Sequence, residues 1–424
     1  MHHLGWAYVE SLLLAVSGMS PAVITETLYG IAGRGEDWPQ ALCIVTTSKG
    51  KERLWQGLVE QGHLTALCQE LGRPELPLSA EDILVVPDAA GAAVADARSA
   101  ADHEAMADFI ITVVRNLTGS DNRRIHASIA GGRKTMTFYL GYAMSLFGRH
   151  FDCLSHVLVS EGYENHPNFY YPTRATRIIR LPDGRELDTR HAEVTLADIP
   201  FIRQRHLLPS LLKDEGEKVS FRQTVELINL GQQPDDIRLT VDAPGQRLVL
   251  GSSADQNLRI EIEITNVWYW MFYLLILEDS CKSVDERDGY TRPLKEGADK
   301  SLALLMALKL AHVLEVQIAG DDLGQLATAL LELDLLADRY PMLERSLRAV
   351  KEKDGVTGSQ FSTYVNELQE SLSQLLPENL VKLLVPTQVY DAEGERLQTV
   401  GKIKNKGAAY GVALPDPARQ ISFL

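Results

Sequence analysis

Short apolar runs alternate with helical patterns through residues 1–160 of the chain. Five of these runs have the length and composition of buried strands. They are "SLLLAVSG" (11–18), "ALCIVTTS" (41–48), "DILVVPD" (82–88), "HASIAGG" (126–132) and "SHVLVS" (155–160). Strands that alternate with helices predict an α/β fold, with a Rossmann-like parallel sheet flanked by helices. In such a sheet, ligands bind beyond the carboxyl ends of the strands, where the strand order reverses.

The alternation stops after residue 175. A hairpin with Asp183-Gly184 at its turn is expected next. The next segments are a helix over 220–231, short strands and a strongly apolar helix, "WYWMFYLL", which is predicted to be core. This order of elements suggests a winged-helix-like unit. Long helices and a second hairpin, which would be a second wing, complete the chain. We therefore predict a ligand-binding domain at 1–175, a connecting hairpin at 176–200 and an α+β winged-helix-like and helical region at 201–424.

The chain has 424 residues and a formal net charge of −15, and both of its halves are acidic. Duplex DNA is therefore an unlikely partner, although a small anion held in a local pocket is allowed. No apolar stretch is long enough to span a membrane, so we expect no membrane contact. The four scattered cysteines, without a CxxC or a Cys/His cluster, predict a reduced, cytoplasmic protein without a metal site.

The fourth predicted strand ends in "AGGRKT". Glycines let a backbone approach a ligand closely, and the start of the next helix attracts phosphate through its N–H groups and dipole. The spacing is neither Walker A nor GxGxxG, which disfavours an NTPase or a nicotinamide oxidoreductase. The turn either binds an anion or is a tight turn with two surface cations. The residues that would bind the anion are Gly131, Gly132, Arg133, Lys134 and Thr135.

The first predicted strand ends in a matching turn, "VSGMSPAV". Ser17, Gly18, Met19 and Ser20 stand there at the start of a helix. Ser20 either caps that helix or contacts a ligand, whereas Ser17, at the strand end, is more plausibly directed toward a ligand. No GxSxG elbow is present, so a hydrolase triad is not indicated.

Two further segments carry polar residues to the same edge of the predicted sheet. Thr47 and Ser48, at the end of the second strand, either bind a ligand or cap the following helix. A long loop over 88–104 follows the third strand, and long loops at this edge are often functional. Its candidate ligand contacts are Arg98, Asp102 and His103. Arg98 either grips phosphate or pairs with Asp96 or Asp102 within the loop. The spacing of Arg98 and His103 also matches the RxxxxH signature of one RNase class, which we interpret as coincidence because it precedes a Rossmann-type helix.

Aromatic residues between two prolines mark "HPNFYYPT" (166–173). These aromatics either stack on nucleic-acid bases or pack against a dimer partner.

The chain resembles the CRISPR-associated Rossmann fold (CARF) family, and within it the ring-nuclease branch with a C-terminal winged-helix-like region. The stretches that carry the resemblance are "LLLAVSGMSPAVITETLYGIA", "DARSAADHEAMADFI" and "HASIAGGRKTMTFYLGYAMSLFGR", with "LSHVLVS" after them. The similarity is strong over residues 8–175. It is looser beyond, through "IPFIRQR", "FSTYVNEL" and "KNKGAAYGVALP".

This resemblance implies a homodimer that binds one cyclic oligoadenylate, commonly cyclic tetra-adenylate, across its two-fold axis. Ring nucleases linearise this antiviral messenger and switch the response off. In that branch a serine after the first strand and a lysine after the fourth carry the site, and these positions match Ser17 and Lys134. The implied reaction is attack of a ribose 2′-hydroxyl on its 3′-phosphate without metal or cofactor, and Arg98 or His103 would assist from the long loop.

The main alternative is a non-catalytic sensor that binds the same ring and controls a winged-helix transcription regulator or another effector output. Against DNA binding, residues 201–424 are net acidic and the expected recognition region lacks a Lys/Arg cluster. A CARF-gated effector nuclease is also disfavoured, because no effector-type catalytic motif follows residue 200.

Overall fold

The computed structural model describes residues 10–88, 90–95, 99–209, 220–255, 258–294, 297–318, 320, 322–333, 340–389 and 409–424. These residues form two compact units. The first extends to Leu208 and includes Phe221 and Arg222, and the second contains the described residues from Gln223 onward. The predicted functional division at residues 175 and 200 stays a prediction.

The first unit is built on a six-stranded sheet. Its first five strands are β1 (Glu10–Val16), β2 (Ala41–Thr46), β3 (Ile83–Val85), β4 (Arg123–Ser128) and β5 (Cys153–Val159). The hairpin of β6 (Ile178–Arg180) and β7 (Glu186–Asp188) follows, with Gly184 in its turn, and then comes β8 (Val194–Asp198). The sheet order is β3-β2-β1-β4-β5-β8, and only the β5–β8 pair is antiparallel. The predicted mostly parallel sheet is confirmed.

Helices cover this sheet. They are α1 (Ala22–Gly33), α2 (Ser48–Leu54) with a π-helical continuation (Trp55–Glu60), α3 (His63–Leu71), α4 (Ala100–Thr118) and α5 (Lys134–Phe147). Strand β1 is buried from Leu12 to Val16, and its Leu13 and Ala15 share a core with α1 and α3. Burial of consecutive residues means that both faces of the strand are covered, which explains the unbroken apolar run in the sequence.

The second unit contains a four-stranded mixed sheet. Helix α6 (Phe221–Leu230) leads into β9 (Ile237–Asp242), β10 (Arg247–Ser252) and β11 (Arg259–Glu263), which form an antiparallel meander. The last strand, β16 (Ile421–Phe423), pairs in parallel with β9. Helix α7 (Val267–Ser280) is buried along nearly its whole length, as the sequence predicts for "WYWMFYLL". A helix that is apolar all round is a core helix.

The remaining elements of the second unit are mostly helical. They are β12 (Ala298–Asp299), α8 (Lys300–Val313), α9 (Leu323–Leu331), α10 (Pro341–Glu352), β13 (Val356–Thr357), α11 (Gly358–Leu375), α12 (Glu378–Leu384), β14 (Thr387–Gln388), β15 (Tyr410–Gly411) and α13 (Pro417–Gln420). Strands β14 and β15 pair where the second hairpin is predicted, and residues 390–408 between them lie outside the described residues. Among the helices that the structure describes, none combines the length and the apolar character that crossing a bilayer requires.

Helix α1 carries a buried carboxyl group. Glu26 is only 5% exposed. Burial, and after it the nearby charge of Glu164, raises the pKa of Glu26 from 4.5 to about 7. The charged form is therefore disfavoured by folding, so Glu26 costs stability above pH 7 and this cost vanishes as the pH falls toward 4.5.

We predict that Glu26→Gln stabilises the protein at pH 8 by about 3 kcal/mol, and that the gain shrinks steadily toward pH 5. The free energy of unfolding in urea, measured at both pH values, checks this. The exposed Glu52 on α2 supplies the control, since Glu52→Gln should leave stability unchanged. Equal stabilities of wild type and Glu26→Gln at pH 8 would contradict the prediction.

Candidate functional site

The reversal of strand order occurs between β1 and β4. From β1 the chain moves to β2 and β3 on one side, whereas β4 lies on the other side of β1 and is followed outward by β5. Because these strands are parallel, the turns that follow β1 and β4 leave the same edge of the sheet. The crevice where doubly wound sheets bind ligands therefore lies between these two turns.

The two turns meet through their glycines. A Cβ atom added to Gly18 would lie 3.5 Å from the Cα of Gly132. A Cβ at Gly131 would lie 2.8 Å from Val23 Cγ2, closer than real Cβ atoms approach, and 3.0 Å from the Val16 carbonyl oxygen, which is also a tight contact. Gly132 also has a φ of +91°, which L residues with side chains rarely adopt. Glycine is therefore required at positions 131 and 132 for the β4–α5 turn to pack against β1.

The turn after β2 joins the same edge. A Cβ at Gly50, in the first turn of α2, would lie 2.7 Å from the Gly18 carbonyl oxygen. Thr47 caps α2 by accepting a hydrogen bond from the Gly50 N–H at 3.3 Å, so the capping alternative is confirmed for Thr47. Ser48 donates its backbone N–H to the Val94 carbonyl oxygen. The predicted contacts at Thr47 and Ser48 thus lie in a turn that packs on the β1–α1 turn.

Helix α5 begins with exposed positive charge. Arg133 is its N-cap residue and Lys134 its first residue, and both are exposed. No side chain caps this helix, and its first turn contains no acidic residue. The first turn of α5 therefore keeps the positive end of the helix dipole and a lysine together at the crevice, an arrangement that favours an anion.

Helix α4 begins differently. Ser99 and Asp102 form a capping box, in which the Asp102 carboxylate accepts the Ser99 N–H at 3.0 Å and Ser99 Oγ accepts the Asp102 N–H at 3.0 Å. Asp102 thus has a structural role at this helix end. Arg98 and Asp96 lie outside the described residues.

His103 lies in the first turn of α4, and its Nδ1 atom is buried without a hydrogen-bond partner among the described residues. Met106, one turn further along, accepts a weak hydrogen bond from Thr135 Oγ1 at 3.9 Å. The first turns of α4 and α5 are therefore neighbours, and His103 and Thr135 lie near the same end of this helix pair. The described residues contain no cluster of side chains that could hold a metal ion.

The serines of the β1–α1 turn are placed differently from expectation. Ser17 is fully buried, its backbone N–H donates to the Val45 carbonyl oxygen and its hydroxyl donates to the Ser20 carbonyl oxygen at 3.1 Å. The cap predicted for Ser20 is wrong, because Pro21 is the N-cap residue of α1 and no side chain caps this helix. Met19, by contrast, is 55% exposed. In this conformation the turn presents Met19 and the backbone, and its Ser17 hydroxyl faces inward.

The aromatic stretch 166–173 is part of the core. Phe169, Tyr170 and Tyr171 are 1%, 7% and 6% exposed, and the His63 ring stacks on Tyr170 with ring centroids 3.6 Å apart. Both predictions for these aromatics, base stacking and packing against a partner, are therefore wrong. A local sequence pattern does not predict this burial: the tertiary fold packs Tyr170 and Tyr171 against α1 and α3, and Phe169 against Tyr163 and the β6–β7 hairpin.

A cavity of about 530 Å³, which the sequence does not predict, adjoins the β1–α1 turn. Its wall includes Met19 and Ser20 of the turn, Arg53 and Gln56 beyond β2, and Asn165. The contributing segments are far apart in sequence, and no sequence pattern shows that residues 19–22, 53–61 and 165–170 meet. The cavity extends the candidate site from the crevice along the carboxyl edge of the first unit.

One comparison with known proteins points to a CRISPR-associated family. Residues 20–229, slightly less than half of the chain, match the family model described as CRISPR-associated protein NE0113. No curated protein matches the chain significantly. Among solved structures, one similar chain is Enterococcus italicus Csm6 bound to cyclic hexa-2′-fluoro-hexa-dAMP. The match covers 89% of this chain and 97% of that one, with 11% identity and a TM-score of 0.25, which is too low to establish a shared overall arrangement.

We predict that Gly131→Ala destabilises the first unit by about 1–3 kcal/mol, because the added methyl group forces the β4–α5 turn away from β1. The urea-induced unfolding transition measures the change. Gly33→Ala is the matched control, since nothing lies within 4 Å of a Cβ at that position in α1. If the two variants were equally stable, the close contact between the turns would not be a constraint on the fold.

Proposed function

We propose that two copies of this chain bind one cyclic oligoadenylate, with cyclic tetra-adenylate the first choice, and cleave it as a ring nuclease. One observation carries the proposal: at the strand-order reversal, Gly18 and Gly132 meet beside the uncapped start of α5, where Arg133 and Lys134 are exposed. This arrangement suits a phosphodiester, because backbone N–H groups, a helix dipole and a lysine act on the same charge. The match to a CRISPR-associated family model supports an antiviral setting.

An exposed phenylalanine next to the site supports the homodimer. Phe138, one turn after Lys134 on α5, is 61% exposed and lies 5.9 Å from Tyr142 and 5.8 Å from Tyr139, measured between ring centroids. Large exposed aromatics at a helix face are typical of subunit contacts. A two-fold axis beside α5 would bring two copies of the Gly131–Lys134 turn to one ring.

The reaction that we propose needs no group beyond the ring and the protein. A ribose 2′-hydroxyl attacks its own 3′-phosphorus, an O2′–P bond forms and the P–O5′ bond breaks. The products are a 2′,3′-cyclic phosphate and a 5′-hydroxyl, which takes up the proton lost from the 2′-hydroxyl. Holding the linkage in line accelerates this step, and Lys134 stabilises the charge that grows on the phosphoryl oxygens. We further propose that Arg98 assists from its loop.

The burial of Ser17 favours a second candidate function, that of a non-catalytic sensor. With its hydroxyl bonded to the Ser20 carbonyl oxygen, Ser17 cannot orient a ribose or a phosphate unless the turn rearranges. A site that binds through backbone, dipole and Lys134 alone would hold the ring intact. The bound ring would then control the rest of the chain.

The two functions are distinguished by incubating the full chain with cyclic tri-, tetra- and hexa-adenylate in chelator and then resolving the products by chromatography. We predict linear products with 2′,3′-cyclic phosphate ends. Lys134→Ala should slow cleavage by about 100-fold, and Ser17→Ala should reduce cleavage more than binding. Lys353→Ala, which removes an exposed lysine from the second unit, is the control and should cleave normally.

Ring affinity, measured on the same variants, distinguishes the outcomes. Binding without cleavage, weakened about tenfold by Lys134→Ala, would establish the sensor. If Lys134→Ala binds and cleaves like Lys353→Ala, the Gly131–Lys134 turn is not the site. Cleavage at full rate by both Ser17→Ala and Lys134→Ala would leave the activity but refute its assigned residues.

A further inference from the structure

A second positively charged pocket lies at the opposite edge of the sheet of the first unit. It has a volume of about 440 Å³, and its wall includes Arg149, His150, Arg203, Arg205 and His206, with Asp121 as its carboxylate. Residues 149 and 150 stand just before β5, and 203–206 follow the antiparallel strand β8. Both segments therefore lie at the amino edge of the parallel strands, away from the crevice between β1 and β4.

Two of these arginines are positioned by neutral groups. Arg203 donates from Nε to the Arg149 carbonyl oxygen at 2.9 Å and from Nη2 to the Asp152 carbonyl oxygen at 2.8 Å. Arg205 donates from Nη1 to Thr118 Oγ1 and to the Phe147 carbonyl oxygen, each at 3.2 Å. Carbonyl and hydroxyl oxygens fix the direction of a guanidinium without cancelling its charge. Within the described part of the chain, neither Arg203 nor Arg205 forms an ion pair.

Arg149 has a different role in the same wall. It is buried and forms a two-point ion pair with Asp152, from Nε to Oδ2 at 2.9 Å and from Nη2 to Oδ1 at 3.0 Å. Asp152 also accepts the backbone N–H of Ile125 at 2.9 Å. This pair is neutral overall and ties the segment before β5 to the start of β4. Arg203 donates to the carbonyl oxygens of both Arg149 and Asp152, so this ion pair holds Arg203 in position.

Among the described residues, no carboxylate pairs with Arg203 or Arg205, and Asp121 in the same wall lies 3.8 Å from Arg149 Nη1. Arg203 and Arg205 keep their charge, and the exposed His150 and His206 add N–H donors around the same opening. A chain with a net charge of −15 repels anions from most of its surface, so two prearranged guanidiniums without a described ion-pair partner make this pocket a localised exception. Planar guanidiniums match the oxygens of phosphate better than other cations do.

We propose that this amino-edge pocket binds a small phosphate-bearing anion, either an inorganic phosphate or the phosphate of a mononucleotide, independently of the site at the carboxyl edge. Arg203 and Arg205 hold the phosphate oxygens, and His206 lies at the pocket mouth. The inference does not rest on ring binding or ring cleavage.

Isothermal titration of the full chain with inorganic phosphate and, separately, with adenosine 5′-monophosphate at low ionic strength tests this proposal. We expect His206→Glu to weaken binding at least about tenfold, since it adds a negative charge without removing any arginine tether. His191→Glu, at another exposed histidine, is the matched control and should bind normally. Arg203→Gln with Arg205→Gln should abolish binding, and thermal melting of that double variant reports whether it folds.

Lys134→Ala tests whether the pocket at the amino edge binds independently of the site at the carboxyl edge. The proposal expects this variant to keep the binding that His206→Glu loses. Tighter binding of the mononucleotide assigns the pocket to nucleotides, and equal binding assigns it to phosphate alone; both support the proposal. It is overturned if His206→Glu and His191→Glu bind alike, if neither probe binds the wild type, or if the binding disappears in Lys134→Ala.

Discussion

The close approach of two turns at the centre of the first sheet is the constraint on which the candidate site depends. A Cβ at Gly18 would just touch Gly132, Gly132 adopts a φ of +91° that favours glycine, and Gly131 has little room for a side chain between Val16 and Val23. The contact places the start of α5 directly beside the end of β1. Without this contact, Lys134 and the positive end of the α5 dipole would lie away from the crevice where the strand order reverses.

Capping decides which helix starts can attract an anion. Thr47 and the Ser99–Asp102 pair supply oxygen acceptors at the starts of α2 and α4, and Asp102 also brings negative charge there. Helix α5 has no such cap, so its N-terminal N–H groups face the crevice with Lys134 beside them. The inward bond of Ser17 works against catalysis in the same site. Binding thus follows more directly from the geometry than cleavage does, and the difference rests on one serine hydroxyl.

Much of the first unit follows from the sequence, because fully buried parallel strands appear as unbroken apolar runs. The glycine pair after β4 also predicts the turn that follows this strand, since only glycine adopts the φ of Gly132 without strain. Other features depend on contacts between distant segments. The burial of Ser17 requires its turn to close on Ser20, and the burial of Tyr170 requires the loop after β5 to pack on α1. The arginine pocket exists because β8 returns antiparallel to β5, which no local pattern indicates.

Native mass spectrometry of the full chain with cyclic tetra-adenylate, under conditions too brief for cleavage, tests the central claim most directly. If two glycine-lined turns from two protomers hold one phosphodiester ring, the spectrum will show two chains with a single ring. The corresponding species of Lys134→Ala will be depleted at the same ring concentration. One ring on each chain, or a two-chain species that never takes up the ring, would contradict the account.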